Sequence, residues 1–193
     1  MIVPKEWLEA LEIVKTVFPN SMLAGGCLRD YAHGVEVKDI DIVVYNPLPY
    51  ITDSVIIDTV QVAIDRAFDK VEPKEPIDRL YECAESEISG NGVEGISDIA
   101  KVVYKGLDVD VIVRVDAERI YDVIDNFPDN LSRIAHDGKR YYSASSYEQG
   151  HLNKELIIDW SKNNPRNEAL MCQRIVRLMR KYPTYKLVEV NRL

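Results

Sequence analysis

The order of apolar and polar positions along the chain predicts helices alternating with pairs of strands. Near the start, Trp7, Leu8, Leu11, Val14 and Phe18 recur at helical spacing. Pro4 stands where a first helical turn tolerates it, and Pro19-Asn20 ends the run. A short apolar stretch, Met22-Leu23-Ala24, leads into Gly25-Gly26, and Cys27 to Ala32 has room for one or two helical turns. Asp39 to Tyr45 reads as a strand from its β-branched content, closed by Pro47 and Pro49. Residues 53–70 return to helical spacing, with Val55, Ile56, Val60, Ala63, Ile64 and Phe68 on the buried side.

From Glu72 to Gly95 the chain turns polar, carrying Pro73, Pro76 and a Gly90-Asn91-Gly92 cluster. That pattern predicts an excursion (residues 72–95) inserted into one domain rather than a boundary between two. Ile99–Tyr104 and Leu107–Val115 read as strands joined by a hairpin at Lys105-Gly106. A helix around Glu118–Ile124 precedes a second hairpin, with arms Leu131–His136 and Arg140–Ala144 and a turn at Asp137-Gly138. The last element is a helix from about Pro165 to Tyr182, with Asn163 or Asn164 as cap and Pro183 as terminator. The expected class is α+β: a small mixed sheet flanked by helices, with residues 1–150 as a core and 151–193 as a helical extension packing on it.

Composition narrows the classes. The chain has 193 residues, 46% hydrophobic and 29% charged, which suits one globular domain and excludes a disordered or fibrous one. No apolar run approaches the ~20 residues of a membrane-spanning helix. Met1 to Glu6 lacks a signal-peptide pattern, so a cytoplasmic protein without a membrane partner is expected. Three cysteines without paired spacing fit a reducing compartment better than a disulfide frame or a structural zinc site. The net charge of -8 speaks against a surface built to coat nucleic acid. That charge is uneven, however. Between 165 and 193, seven basic residues oppose only Glu168 and Glu189, a local +5, so the chain could hold a short nucleic-acid end but not grip a long one.

Three features carry candidate chemistry. Gly25-Gly26 sits between a strand and a helix, where it serves either as plain turn chemistry or as a close approach for a phosphate. Asp39-Ile40-Asp41 lies in a strand, so its two carboxylates share one face while Ile40 takes the other. Carboxylates that close repel unless a cation lies between them, and Mg²⁺ suits oxygen ligands. Asp108-Val109-Asp110 repeats the arrangement inside an otherwise apolar strand. Lys38, Arg29 and Arg114 could instead serve these acids as salt-bridge partners, taken one site at a time.

The segment Gly25-Gly26-Cys27-Leu28-Arg29-Asp30, an eight-residue spacer, then Asp39-Ile40-Asp41 with Lys38 before it, resembles the GGxxRD…KDxD signature of the nucleotidyltransferase superfamily. Within it, the chain resembles the head of tRNA CCA-adding enzymes and bacterial poly(A) polymerases, and also small stand-alone, often phage-encoded members. The resemblance implies two-metal transfer of a nucleoside monophosphate from an NTP such as ATP to a hydroxyl acceptor, with pyrophosphate leaving. The ions would be Mg²⁺, with Mn²⁺ as the alternative. The acceptor would be an RNA 3′ end, a small molecule or a protein side chain. It further implies that Gly25 and Gly26 hold the triphosphate, with Arg29, Asp30 and Lys38 completing the nucleotide site. Asp39 and Asp41 would bind both metals, and Asp110 would be the third carboxylate that helps activate the acceptor, with Asp108 as its alternative.

Two later segments extend the resemblance. Phe127 to Ile134 stands where CCA-adding enzymes carry Arg-Arg-Asp-Phe; here both arginines are absent, leaving Asp129 and Arg133 for the sugar. Pro165-Arg166 and the C-terminal helix match a Pro-x-Arg…Arg helix, with Arg174, Arg177 and Lys181 on one face and Leu170, Ile175, Val176, Leu178 and Met179 on the core side. That basic face reads equally as a phosphate clamp or as a solvated surface. Cys27 reads as a buried small hydrophobe, Trp160, Tyr185 and Tyr141-Tyr142 as packing residues, and the three histidines have no metal-ligand spacing. A nucleotide pocket that binds without transferring, sequestering a nucleotide or a partner protein, is the alternative function.

Overall fold

The computed structural model describes residues 2–46, 56–71, 96–162 and 168–192. The expected excursion at 72–95, Pro47, Pro49, Asn163, Asn164 and Pro165-Arg166 lie outside these residues. In chain order the helices are α1 (Lys5–Lys15), α2 (Gly26–Ala32), α3 (Ile56–Asp69), α4 (Ile120–Asp125), α5 (Ser145–Asn153) and α6 (Glu168–Lys181). The strands are β1 (Ser21–Ala24), β2 (Asp39–Val44), β3 (Ile96–Tyr104), β4 (Leu107–Arg114), β5 (Ile134–His136), β6 (Tyr141–Ser143), β7 (Glu155–Asp159) and β8 (Lys186–Val190). The α+β class is as expected, with a six-stranded mixed sheet ordered β3-β4-β2-β1-β5-β6 and a second, two-stranded sheet of β7 and β8.

The two-residue alternation of the strands sorts their side chains to opposite faces. On one face Leu23, Ile40, Ile42, Val44, Val109, Val111 and Val113 pack against Leu11 and Val14 of α1, Leu28 of α2 and Ile64 and Phe68 of α3. On the other, Met22, Ala24, Val43 and Ala135 pack against Val123 and Ile124 of α4. Asp39, Asp41, Asp108 and Asp110 share the parity of Val43 and Ile112 and therefore lie on the α4 side. β2 and β4 pair in parallel with Asp39 opposite Asp108 and Asp41 opposite Asp110, which lays the two acidic pairs side by side.

A third apolar cluster sits under α6, where Met171, Ile175 and Leu178 meet Leu131, Leu156, Ile158, Tyr182 and Tyr185. The core side of α6 is narrower than its sequence implied. Leu170 and Val176 are exposed, while Met171, Ile175 and Leu178 form the buried i, i+4, i+7 stripe and Met179 packs, partly buried, beside it. The second hairpin is also shorter than expected: Leu131 belongs to a 3₁₀ turn, Asn130–Ser132, that precedes β5. α5 and the β7–β8 pair carry no strong sequence pattern and were not expected.

Asn130 joins these late elements. Its buried amide donates to Ser146 O (3.0 Å) and Glu155 O (3.1 Å), and its carbonyl accepts from Ile157 N (2.8 Å). Gly150 makes room for it: a Cβ there would stand 1.7 Å from Asn130 Nδ2. Gly150→Ala, a change that ordinarily favours a helix, is therefore expected to destabilise the chain by ~1–3 kcal/mol in urea unfolding. An unchanged or higher midpoint would show that the Asn130 clasp does not depend on this gap.

Candidate functional site

β2 and β4 bring three of the four strand acids into one cluster. One carboxylate oxygen each from Asp39, Asp41 and Asp110 lie within 4.8 Å of one another. Asp108 is exposed, nearer the hairpin end of β4 and opposite Val103, and does not join them. Three like charges this close disfavour full ionisation. Burial, followed by Asp39 and Asp110, pushes the Asp41 carboxyl up to about 7. Burial also raises Asp110, against the Lys101 ammonium, whose Nζ is 3.3 Å from Asp110 Oδ2. The donor set is all oxygen, which fits Mg²⁺ or Mn²⁺ rather than a thiophilic ion.

The glycine pair adjoins this cluster. Gly25 adopts φ 74°, a conformation glycine reaches without strain, and donates its N–H to Ile134 O at 3.1 Å. A Cβ at Gly25 would meet the Phe127 ring at 2.9 Å, and one at Gly26 would meet Asp41 Oδ2 at 3.2 Å. The turn therefore packs between an aromatic ring and the acidic site, and any side chain would close that gap. Cys27, next in line, is buried; burial and the nearby Asp41 push its thiol up, which leaves it un-ionised at neutral pH.

The other candidate nucleotide-binding residues are joined largely to one another. Arg29 donates from Nε to Asp30 Oδ1 (2.8 Å) and from Nη1 to Ser132 Oγ (2.8 Å), with Asp129 Oδ1 at 4.0 Å. Arg174 reaches Asp129 Oδ2 at 2.6 Å, while Lys181 and the Tyr182 hydroxyl both donate to Asp30. Asp129 is fully buried, and Ser132 donates to it from both N and Oγ. Burial alone would raise the carboxyls of Asp129 and Asp30, yet the surrounding cations hold both below the usual range. Arg133 ties the same segment down, donating to Phe127 O (2.9 Å) and Asp159 Oδ2 (3.3 Å). Of the basic face on α6, then, Arg174 and Lys181 point into the fold, and Arg177 is exposed. Lys38 is also exposed, directly before β2.

Sequence reasoning did not single out Ser132, Tyr182, His33 or Lys101. Ser132 and Tyr182 complete the ionic network, and His33 binds Arg29 O through Nδ1 and the Tyr185 hydroxyl through Nε2, both at 2.7 Å. Tyr182 and His33 have no local signature, because their side-chain partners lie more than 100 residues away, as does the Arg29 that donates to Ser132.

Comparison with solved structures decides the fold. The chain superposes on the CCA-adding enzyme of Thermotoga maritima complexed with tRNA at TM-score 0.59 and 14% identity, covering 98% of this chain and 40% of that one. A CCA-adding enzyme with ATP gives 0.60 at 14%, covering 97% and 40%. The Bacillus stearothermophilus CCA-adding enzyme with CTP gives 0.55 at 17%, covering 92% and 40%. The chain has a nucleotidyltransferase-like fold. It spans under half the length of these neighbours. No protein-family model and no curated protein matches it. Among the described residues, no helix is long and apolar enough to cross a membrane.

Two outcomes follow for this nucleotidyltransferase-like fold. Asp41 has a folded-state value near 7 against an unfolded value of 3.8, so the folded chain holds more protons between those limits and this group lowers stability as pH rises through them. Asp41→Asn removes that term. In urea unfolding with EDTA, its stability relative to the parent should be higher at pH 8 than at pH 5; an equal difference at both would refute it. Separately, Asp129→Ala leaves Arg174 and Arg29 without their shared buried anion and should cost ~3–5 kcal/mol. A loss below about 1 kcal/mol would mean that water replaces Asp129 there.

Proposed function

We propose that the chain is a nucleotidyltransferase that moves a nucleoside monophosphate from an NTP to a hydroxyl acceptor and releases pyrophosphate. The observation that carries this reading is the convergence of Asp39, Asp41 and Asp110 beside Gly25-Gly26 on a nucleotidyltransferase-like sheet. The solved neighbours complexed with ATP, CTP and tRNA support an NTP as substrate and an RNA 3′ end as the acceptor to test first.

In this reading Asp39, Asp41 and Asp110 would hold Mg²⁺ or Mn²⁺, which would supply charge neutralisation at the reacting phosphate. The acceptor hydroxyl forms a bond to the α-phosphorus as the bond to the β-phosphate oxygen breaks, and the pyrophosphate carries away the electron pair. Asp110, the third carboxylate, helps activate the acceptor hydroxyl and receives its proton. Gly25 and Gly26 let the triphosphate approach the backbone that a side chain would block. Positioning and electrostatics supply the acceleration, and no nucleophilic side chain is needed; un-ionised Cys27 agrees with that.

The ion pairs Arg29–Asp30, Asp129–Arg174 and Lys181–Asp30 act as a frame, fixing α2 behind the glycine pair and docking residues 151–193 on the core of residues 1–150. Among the described candidate residues, Arg177 and Lys38 are exposed and are proposed to contact phosphate. The chain is expected to transfer label from an α-³²P NTP to RNA in the presence of Mg²⁺. Asp39→Ala and Asp41→Ala should each lower the rate by more than about 10²-fold while retaining the parent's fold by circular dichroism. NTP with Mg²⁺ raising the melting temperature, but no transfer to RNA, small hydroxyl compounds or protein, would instead favour a pocket that only sequesters nucleotide.

A further inference from the structure

The acidic cluster contains a cation of its own. Lys101 stands directly across from Asp110 in the antiparallel β3–β4 register. Its Nζ lies 3.3 Å from Asp110 Oδ2, the pair being 56% and 20% exposed. The backbone beneath that ammonium is clamped from the helix side. Gln61 of α3 accepts from Lys101 N at 2.9 Å and donates to Lys101 O at 3.0 Å, so one side chain satisfies both outward-facing groups of an edge-strand residue. Arg29, the other cation near Asp41, is already engaged by Asp30 and Ser132.

The charge balance gives this contact a consequence. When a bound cation ionises all three carboxylates they would carry three negative charges, of which Lys101 cancels one, leaving the charge that a single divalent ion matches. A second divalent ion sharing Asp110 meets the ammonium as a competitor for the same oxygen and as a like charge.

We propose that Lys101 is a resident counter-ion of the acidic cluster, a positioning residue that holds Asp110 in the metal-free chain and makes the two divalent positions unequal. An ion that needs Asp110 would bind only as Lys101 is displaced. This rests on the metal reading of the cluster and adds an order to it.

Mn²⁺ titration of the full chain, with free Mn²⁺ read by electron paramagnetic resonance, tests this without any activity assay. The parent is expected to bind one Mn²⁺ tightly and a second more weakly. Lys101→Met should tighten the second by roughly 3- to 5-fold, the worth of a partly exposed ion pair, and leave the first within about 2-fold. Lys101→Arg, which keeps the charge, should restore the inequality. Two equal sites in the parent, or a second site unmoved by Lys101→Met, overturns the role of Lys101 while leaving the metal cluster intact. No binding by the parent at all overturns the metal reading itself and this inference with it.

Discussion

The parallel pairing of β2 with β4 is the constraint on which the candidate site depends. A single register sets Asp41 beside Asp110 and, on the opposite face, buries Ile40, Ile42, Val109 and Val111 in the main core. A slip of one residue would exchange those faces, putting carboxylates into the apolar cluster and isoleucine into the site. The apolar side therefore enforces the geometry of the acidic side. The repulsion among three carboxylates is sustained by burial energy collected behind the sheet; burial of Asp41 first, and then the charges of Asp39 and Asp110, raise its affinity for a proton.

A second electrostatic arrangement holds the chain's ends together. Asp30 and Asp129 are both buried, and each draws cations from a helix far along the sequence: Lys181 and Arg174 respectively. Removing a buried ion from such a set costs more than the set contributes as a whole, because the remaining charges lose their match. The basic C-terminal helix is thus largely internal in purpose. Of the local +5 between 165 and 193, Arg174 and Lys181 are consumed within the fold, which reduces the charge available to an acceptor nucleic acid.

Much of this was legible from short-range pattern. The Gly25-Gly26 turn, the parity of Asp39 and Asp41, and the strands around them follow from spacing alone, since each depends on residues within a few positions. Parity alone could not separate Asp110 from its alternative Asp108, since both face the same way; that Asp110 rather than Asp108 lies against Asp39 and Asp41 comes from position along β4 relative to β2. The internal role of Arg174 and Lys181 was equally hidden, as helical spacing places them on one face but cannot say whether that face meets solvent or a buried aspartate. α5 escaped notice because Ser145–Asn153 has almost no apolar stripe; Gly150 and Asn130 hold it through fit and hydrogen bonds. Lys101 is one lysine among several until the β3–β4 register sets it against Asp110.

The long sequence separation between Asp30 and Lys181, and between Asp129 and Arg174, has a consequence for biosynthesis. A chain made from its N-terminus exposes β1, β2 and the glycine turn first, while both cations that match the buried acids are still to come. Asp30 then has Arg29 before Lys181 is made, and Asp129 has no partner on α6 until Arg174 has left the ribosome. The acidic pocket therefore matures late, as a step coupled to docking of the final helix, and ribosome-bound intermediates would carry the strands of the site without its closed frame.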